Sequence, residues 1–289
     1  MKKISTILFL DGNDISFYLL NQIKKKKLFK IELIIVSPES KKKFKKDNAY
    51  NIKYSNLKNE KDIRNINKKF DVGFSYFNYK VPEKILKKIK IGAINFHPSY
   101  LPYNRSRHSA FWSIIDSTPA GATSHWMNNK FDDGPIFFQK KIVKKKFVNA
   151  KKLYFEQLAI LKYVIRKTID FIIKNKFIKK KQNKNKATFH TKTDILKKIS
   201  FSLEDKISNE EFVKIILGTT FNKKTGIYLA SEKKYLINSR YKIIKNKNNI
   251  INHTLNFSEL FKFFPIKKKY INNIYYKKFI FKVFSKIIT

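Results

Sequence analysis

Three polar residues in the middle of the chain have the types and spacing to transfer an acyl group. Asn95 and His97 stand two apart at the end of an apolar run, Ile91–Phe96. Residues two apart in a strand point to the same face of a sheet, so these side chains are expected together. Asp132 follows the next apolar run, on a turn closed by Gly134. An amide, an imidazole and a carboxylate can stabilise a tetrahedral oxyanion and relay protons.

The same residues also have structural or metal-binding explanations. An Asn before a loop often caps a turn, and a lone His is commonly a satisfied polar residue. Asp132-Asp133-Gly134 is by itself an ordinary turn sequence. His97, His125 and Asp132 offer a metal-binding alternative, although no HExxH or comparable spacing is present. Spacing alone leaves catalysis, structure and metal binding open.

The surrounding elements indicate an open α/β sheet. Short apolar runs alternate with helical patterns, and Pro98 ends the strand that carries Asn95 and His97. In open α/β folds the carboxyl ends of the strands line the ligand crevice. We therefore predict an open, Rossmann-like, mostly parallel sheet and a smaller C-terminal α+β region. The predicted strands are Ser5–Leu10, Ile31–Val36, Asn51–Tyr54, Asp71–Tyr76, Ile91–Phe96, Ala122–Trp126 and Ile136–Val143; the predicted helices are one capped by Asp14 or Ser16, one over Val81–Ile89 and the longest over Ala150–Phe177.

A charged run predicts the domain boundary. Lys179–Lys186 (KKKQNKNK) has the composition of a linker. We expect residues 1–180 to form the catalytic domain and residues 190–289 a small C-terminal domain. The latter is predicted to contain a helix at Asn209–Leu217, a hairpin formed by Gly226–Leu229 and Lys234–Asn238, and a basic aromatic tail from Asn252.

The composition excludes several classes of protein. The chain has 289 residues, of which 43% are hydrophobic, so it is not a disordered polyelectrolyte. It has no Cys, which excludes disulfide scaffolds, thiolate zinc sites and cysteine nucleophiles. No apolar run approaches the roughly 18 residues of a membrane span. Met1-Lys2-Lys3 before an apolar run imitates a signal peptide, but Asp11 follows at once without a cleavage site, so we expect a cytoplasmic protein.

The charge does not by itself identify a partner. The formal net charge is +43, yet only five of the 64 basic residues are arginine. Lys, Asn, Ile, Phe and Tyr are all abundant and have A/T-rich codons, so compositional drift explains most of the charge. A basic surface attracts phosphate in general. The first turn, Leu10–Asp14, has one Gly and no Walker-type loop is present, which argues against nicotinamide, flavin and ATP chemistry.

The segment Gly92–Gln139 resembles formyltransferases that use N10-formyltetrahydrofolate, and the resemblance extends over residues 71–143. Two positions depart from the family pattern. Ser106 stands where the family usually has Gly, and Asp133 stands where a small or neutral residue is commoner; we expect Asp133 to raise the pKa of Asp132. The matching stretches are Asn95–Pro102 (NFHPSYLP), Asn104-Arg105-Ser106, Gly121–His125 (GATSH) and Asp132-Asp133-Gly134.

The resemblance implies roles for individual residues. Asn95 and His97 would stabilise the oxyanion, and Asp132 would hold the protonation state of His97 and assist the proton that leaves the amine. N10-formyltetrahydrofolate is the implied co-substrate, with no metal. The implied pterin pocket lies along the strand and loop at residues 74–81, mainly through backbone groups, and its candidate residues are Phe74, Ser75, Tyr76, Phe77 and Val81.

Within this family, the runs Leu101–Arg105 and Phe111–Ile115 look most like enzymes that formylate nucleotide-linked amino sugars, typically dTDP-linked 4-amino-4,6-dideoxyhexoses. Tyr103, Arg105 and Trp112 are the predicted acceptor-binding residues, although Arg105 has an alternative role as a brace of its loop. Formylation of Met-tRNA is the alternative function, and a catalytically inactive formyltransferase-like binding module is a third. A homodimer is the candidate assembly.

Overall fold

The computed structural model describes residues 2–44, 50–143, 148–191, 193–201, 206–219, 228–229, 234–235 and 254–256. Seven strands form one sheet in the order β3-β2-β1-β4-β5-β7-β8. The pairs among the first five are parallel, whereas β5–β7 and β7–β8 are antiparallel. The predicted open, mostly parallel sheet is therefore confirmed. The strands in the first half of the chain, all of which except β6 belong to this sheet, are β1 (Ile4–Leu10), β2 (Phe29–Val36), β3 (Ile52–Tyr54), β4 (Phe70–Tyr76), β5 (Ile89–His97), β6 (Arg105–Ser106), β7 (Ala120–Trp126) and β8 (Ile136–Ile142).

Several helices differ from their predicted ends; the helix predicted over Val81–Ile89 spans only Glu83–Leu86, and Ile89 already belongs to β5. Asn13 caps α1, because its side chain accepts a hydrogen bond from Ser16 N at 3.0 Å; the prediction of Asp14 or Ser16 as the cap was wrong. The long helix α6 ends at Ile173 because Asn175 takes a left-handed φ of 54°. The helices are α1 (Asp14–Lys24), α2 (Lys41–Phe44), α3 (Glu60–Arg64), α4 (Glu83–Leu86), α5 (Ser109–Ile115), α6 (Ala150–Ile173), α7 (Asp194–Ile199) and α8 (Asn209–Thr219), with 3-10 turns at Pro38–Ser40 and Lys184–Lys186.

Each face of the sheet is covered by its own hydrophobic core. Helices α1 and α6 pack on the face that carries Leu8, Phe74 and Phe96. Helix α4 and partly buried residues of α3 pack on the opposite face, with Phe9 and Ala93. Asn95 lies on this second face, which we call the site face, because it stands two residues after Ala93 in β5.

The chain divides into two compact units. The first comprises residues 1–109, 119–143 and 154–190, and the second comprises 110–118, 144–153 and 191–289. In the first unit β6 pairs with β9 (Phe189–His190). The second unit contains α7, α8 and short strand pairings. Its strands are β10 (Ser200–Phe201), β11 (Lys206–Ser208), β12 (Tyr228–Leu229), β13 (Lys234–Tyr235) and β14 (Thr254–Asn256).

The predicted C-terminal elements are described only in part. The strands β12 and β13 pair in antiparallel fashion, within the predicted hairpin. Apart from β14, the tail from Asn252 lies outside the described residues. The proposed boundary between residues 180 and 190 stays a prediction. No helix in the described ranges is long and apolar enough to cross a membrane.

Candidate functional site

The carboxyl end of β5 brings the predicted polar residues together. Asn95 and His97 occupy alternate positions at the end of this strand and therefore lie on the same face. Across the sheet, Asn95 is in register with Ser75 on one side and with His125 on the other. A row of polar side chains thus crosses three strands on the site face.

Asp132 is the centre of this arrangement. Its side chain is 8% exposed; Oδ1 accepts a hydrogen bond from Asn95 Nδ2 at 3.2 Å and lies 3.1 Å from His125 Nε2. The other oxygen, Oδ2, accepts from Ser106 N at 2.8 Å. Oδ2 also lies 3.6 Å from His97 Nδ1, which is within ion-pair distance and too long for a hydrogen bond. The carboxylate therefore joins both histidines and the amide of Asn95.

The environment of Asp132 favours its charged form. Burial raises the pKa of the carboxyl, but the charge of His97 and the hydrogen bond and charge of His125 outweigh it, and the pKa lies well below its usual range. The expectation that Asp133 raises this pKa was wrong. The Asp133 side chain forms an ion pair with Arg105, which compensates its charge. Asp132 is therefore ionised at neutral pH.

Each histidine has one ring nitrogen committed to a backbone carbonyl. His125 Nδ1 lies 3.0 Å from Trp126 O, and His97 Nε2 lies 3.1 Å from Asn104 O. A carbonyl oxygen can only accept, so each of these nitrogens carries a proton. The remaining nitrogen of each ring faces Asp132. Both are thereby positioned to exchange or share a proton near the carboxylate.

Two backbone features shape the turns that carry these contacts. Ser106 has a φ of 76°, in the left-handed region that favours glycine, the residue that the resemblance leads one to expect at this position. Its N–H can therefore reach Asp132. At the other turn, a Cβ on Gly134 would lie 1.8 Å from Trp126 O, so only glycine fits.

The predicted acceptor-binding residues have different surroundings. The Arg105 side chain is 11% exposed and contacts Asp133 and Gln182, the kind of contacts that the alternative bracing role requires. Tyr103 is partly exposed. Trp112 belongs to the second unit, where it is 5% exposed and packs edge-on against a neighbouring ring. Acceptor binding by these three residues stays a prediction.

The predicted pterin-binding residues divide between the two faces of the sheet. Ser75, Phe77 and Val81 lie on the site face with Asn95, and the Phe77 ring packs 6.2 Å from that of Phe9. The Ser75 side chain is 1% exposed, and its hydroxyl has no hydrogen-bond partner among the described residues. The side chains of the other two candidates, Phe74 and Tyr76, pack into the opposite core, so only their backbones remain available to this pocket.

Several groups that complete the site received no such role from the sequence. His125 was matched as part of a motif but received no catalytic role, and Gln182 and Thr188 lie in and after the supposed linker. Only long-range contacts disclose the last two. The metal alternative gains no support, since within the described ranges no group of three His, Asp or Glu residues is disposed to hold an ion. The absence of a metal stays a prediction.

Asp11, at the carboxyl end of β1, gives a testable pH effect. Burial raises its pKa to about 6, opposed by a hydrogen bond from the Asn78 backbone; Glu39 adds to the rise and Arg107 reduces it. The fold thus disfavours the carboxylate, so stability present below about pH 4 is lost as the pH rises through 6. Between pH 4 and pH 7, we expect the free energy of unfolding of Asp11→Asn to rise by about 1–2 kcal/mol relative to that of the native chain, after allowing for solvent screening. Urea unfolding of both proteins at pH 4 and pH 7 measures this. A difference in unfolding free energy that is the same at the two pH values would contradict it.

Known formyltransferases resemble this chain over part of its length. The sequence profile described as formyl transferase matches residues 18–154. The chain is 34% identical over 85 residues to a GDP-perosamine N-formyltransferase of Brucella melitensis, covering 29% of this chain and 33% of that protein. It is 36% identical over 115 residues to a methionyl-tRNA formyltransferase of Enterococcus faecalis, covering 39% and 36%. The chain spans between 19% and 49% of the length of the curated relatives it matches.

Solved structures share the fold over most of the chain. A 4-N formyltransferase from Francisella tularensis has a TM-score of 0.71 at 24% identity, covering 83% of this chain and 99% of that one. An N-formyltransferase from Helicobacter canadensis, solved in complex with folinic acid and dTDP-3-aminofucose, has a TM-score of 0.61 at 21% identity and covers 81% and 87%. At these identities the likeness establishes the fold.

Proposed function

Because a formyl transferase profile matches residues 18–154, we propose that this chain transfers a formyl group from N10-formyltetrahydrofolate to the amine of a nucleotide-linked amino sugar. The observation that carries this proposal is the buried carboxylate of Asp132, held between Asn95, His97 and His125. Attack of an amine on a formyl carbon produces an oxyanion and releases a proton. The site holds groups suited to both.

Asn95 is the proposed oxyanion donor. Its Nδ2 carries two hydrogens, one of which points to Asp132 Oδ1. The same Nδ2 lies 3.2 Å from His125 Nε2. When that nitrogen carries a proton for Asp132 Oδ1, the second hydrogen of Asn95 remains available to the formyl oxygen. Such preorganised donors contribute about 2.7–4 kcal/mol each to transition-state stabilisation.

His97 is the proposed proton carrier, and Asp132 its counter-charge. Nε2 of His97 is held by Asn104 O, so Nδ1 is the atom that can take the proton leaving the amine. The imidazolium formed in this way lies 3.6 Å from Asp132 Oδ2, which stabilises it. The proton then passes to the departing N10 nitrogen. The lowered pKa of Asp132 makes it a weak base, which suits an electrostatic role better than direct proton abstraction.

Ser75 supports the folate part of the proposal. Its unpartnered hydroxyl lies one strand away from Asn95, on the same face of the sheet as the apolar side chains of Phe77 and Val81. A flat heterocycle needs an apolar wall with a few polar groups, and these residues are of those two kinds. The Helicobacter protein, which shares the fold, was solved with folinic acid.

We expect Ser75→Ala to raise the KM for N10-formyltetrahydrofolate about 3- to 10-fold with little change in kcat, as loss of one ligand hydrogen bond would. Steady-state kinetics at saturating acceptor measure this. Ser5→Ala is the matched control, because the Ser5 hydroxyl is also buried without a partner among the described residues but lies at the amino end of β1, away from the carboxyl ends of the strands. Equal KM values for both variants would remove Ser75 from the folate pocket.

The acceptor is proposed from similarity and from the charge near the site. The Brucella relative acts on a nucleotide-linked sugar by name, and the Helicobacter structure contains one. Arg107 is exposed and influences Asp11 at the carboxyl end of β1. Since Arg105 is occupied by its own contacts, Arg107 is the arginine better placed to meet a diphosphate. The homodimer and the cytoplasmic location stay predictions.

The test is formyl transfer by the purified chain with N10-formyltetrahydrofolate and a panel of dTDP-, GDP- and UDP-linked amino sugars. We expect formylation of at least one sugar amine, detected by mass spectrometry, with undiminished activity in excess chelator. Loss of activity in chelator that zinc restores would contradict the metal-free mechanism. Formylation of none of the sugars would contradict the proposed acceptor.

Met-tRNA formylation is the second candidate, because the Enterococcus relative of similar identity carries that name. The net charge of +43 is also compatible with a polyanionic acceptor. A non-catalytic binding module is disfavoured, because Asn95, His97 and Asp132 are all present and in contact.

A further inference from the structure

The residues after α6 form an ordered segment rather than a free linker. We call residues 178–190 the strap. At its start, Trp126 Nε1 donates to Ile178 O at 2.7 Å. Lys180 and Ile136 then exchange two backbone hydrogen bonds, at 2.7 and 2.9 Å. At its end, β9 pairs with β6. The strap, which belongs to the first unit, is therefore fixed at both ends to the rest of that unit.

Gln182 is the strap residue that contacts the Asp132 turn. Its Nε2 donates to Asp132 O at 2.8 Å and to Gly134 O at 2.7 Å. Its Oε1 accepts from Arg105 Nε at 3.2 Å and Nη2 at 2.8 Å. The side-chain amide thus uses both its donors and its acceptor. Asp132 has a φ of 50°, a conformation costly for a non-glycine residue, so external contacts are needed to hold it.

Thr188 makes the corresponding contacts on the His97 side. Its Oγ1 accepts from Asn104 N at 2.7 Å, and its carbonyl accepts from Arg105 N at 2.9 Å. The carbonyl of Asn104 in turn accepts the Nε2 proton of His97 at 3.1 Å. Asn104 is also left-handed, with a φ of 57°. The Thr188 hydroxyl therefore holds the N–H of Asn104, and the Thr188 carbonyl holds the N–H of the peptide group whose oxygen orients the imidazole.

We infer that the strap is a positioning device for the formyl-transfer site, in which Gln182 holds the Asp132 turn and Thr188 holds the carbonyl that orients His97. The inference rests on the proposed function for its catalytic consequence. It assigns the Lys-rich run after α6 a role in aligning two catalytic groups, one at the end of β5 and the other on the turn between β7 and β8. Displacement of such groups by about 1 Å can cost about 10²-fold in rate.

The kinetic test uses substitutions that remove one contact at a time. Gln182→Glu keeps the acceptor for Arg105 but removes both N–H donors to the Asp132 turn. Thr188→Val removes the hydroxyl at nearly constant volume, and Thr188→Ser restores it. We expect kcat to fall about 10- to 100-fold in Gln182→Glu and Thr188→Val, with the folate KM within about 2-fold, and Thr188→Ser to recover most of kcat. Asn183→Ala is the control, since Asn183 caps only the 3-10 turn within the strap.

A second readout does not depend on activity. In protein labelled with ¹⁵N-histidine, we expect Gln182→Glu to shift the ring-nitrogen signals of His125 and His97, and Asn183→Ala to leave them in place. If the native chain formylates no acceptor but these signals move, the proposed function fails and the strap inference stands. If the native chain is active and both Thr188→Val and a folded Gln182→Glu keep native kcat and histidine signals, the inference is overturned. If Gln182→Glu does not fold, native kcat and signals in Thr188→Val overturn it alone.

Discussion

Replacement of Asp132 by Asn is expected to lower kcat by about 10²–10⁴-fold, with the folate KM nearly unchanged. Asn has almost the same shape, so the change removes mainly the negative charge. The carboxylate that carries this charge lies 3.6 Å from His97 Nδ1 and 3.1 Å from His125 Nε2. Without it, the imidazolium that forms when the amine loses its proton has no counter-ion. The loss therefore falls on the transition state rather than on ligand binding.

Steady-state kinetics and folate titration of the Asp132 variant separate these effects. Asp170→Asn is a suitable control, because it neutralises a partly exposed carboxylate of α6 that pairs with Lys26 at 3.4 Å, a contact of small energetic value. We expect this control to keep native kinetics. Folate affinity that collapses in Asp132→Asn while turnover of bound substrate persists would show that Asp132 binds the donor instead.

Replacement of His97 by Ala is expected to lower kcat by a similar factor, about 10²–10⁴-fold. The imidazole is 6% exposed, and its Nδ1 is the proposed proton acceptor for the attacking amine. The variant also leaves Asn104 O without its donor, so thermal unfolding should be measured alongside the kinetics.

His108→Asn is the matched control for His97→Ala. His108 is exposed and has a φ of 60°, which Asn tolerates better than Ala does. We expect native kcat from this control. A His97→Ala protein that stays folded and turns over at the native rate would show that the proton leaves by another route.

The sheet was predictable because its pattern is local. Apolar runs such as Ile31–Val36 are buried on both sides, as parallel strands require, and the structure pairs this run with β1 in parallel. The spacing of Asn95 and His97 likewise fixed their common face through the two-residue period of a strand. Asp132 was placed near them by the general rule for carboxyl ends of strands, and by the family resemblance.

The contacts that stabilise the site were not predictable from local pattern. Nothing near Gln182 in the sequence distinguishes it from the neighbouring Lys and Asn, and its contacts lie 48 to 77 residues away along the chain. The effect of Asp133 was misjudged for the same reason, since its partner Arg105 is distant in sequence. Ser106 was a departure from the family pattern whose left-handed φ only coordinates reveal.

One assay with two acceptors across a salt series decides between a sugar amine and Met-tRNA as the acceptor. The purified chain is given N10-formyltetrahydrofolate with either a dTDP-linked amino sugar or initiator Met-tRNA, from about 50 to 200 mM salt. We expect formylation of the sugar at rates that change little with salt, because a diphosphate engages few charges. A tRNA acceptor touches many phosphates and would lose affinity steeply, by about 10³-fold or more over this range for six or more contacts. Robust, salt-sensitive formylation of the tRNA, with no formylation of the sugar, would contradict the proposal that the acceptor is a nucleotide-linked amino sugar.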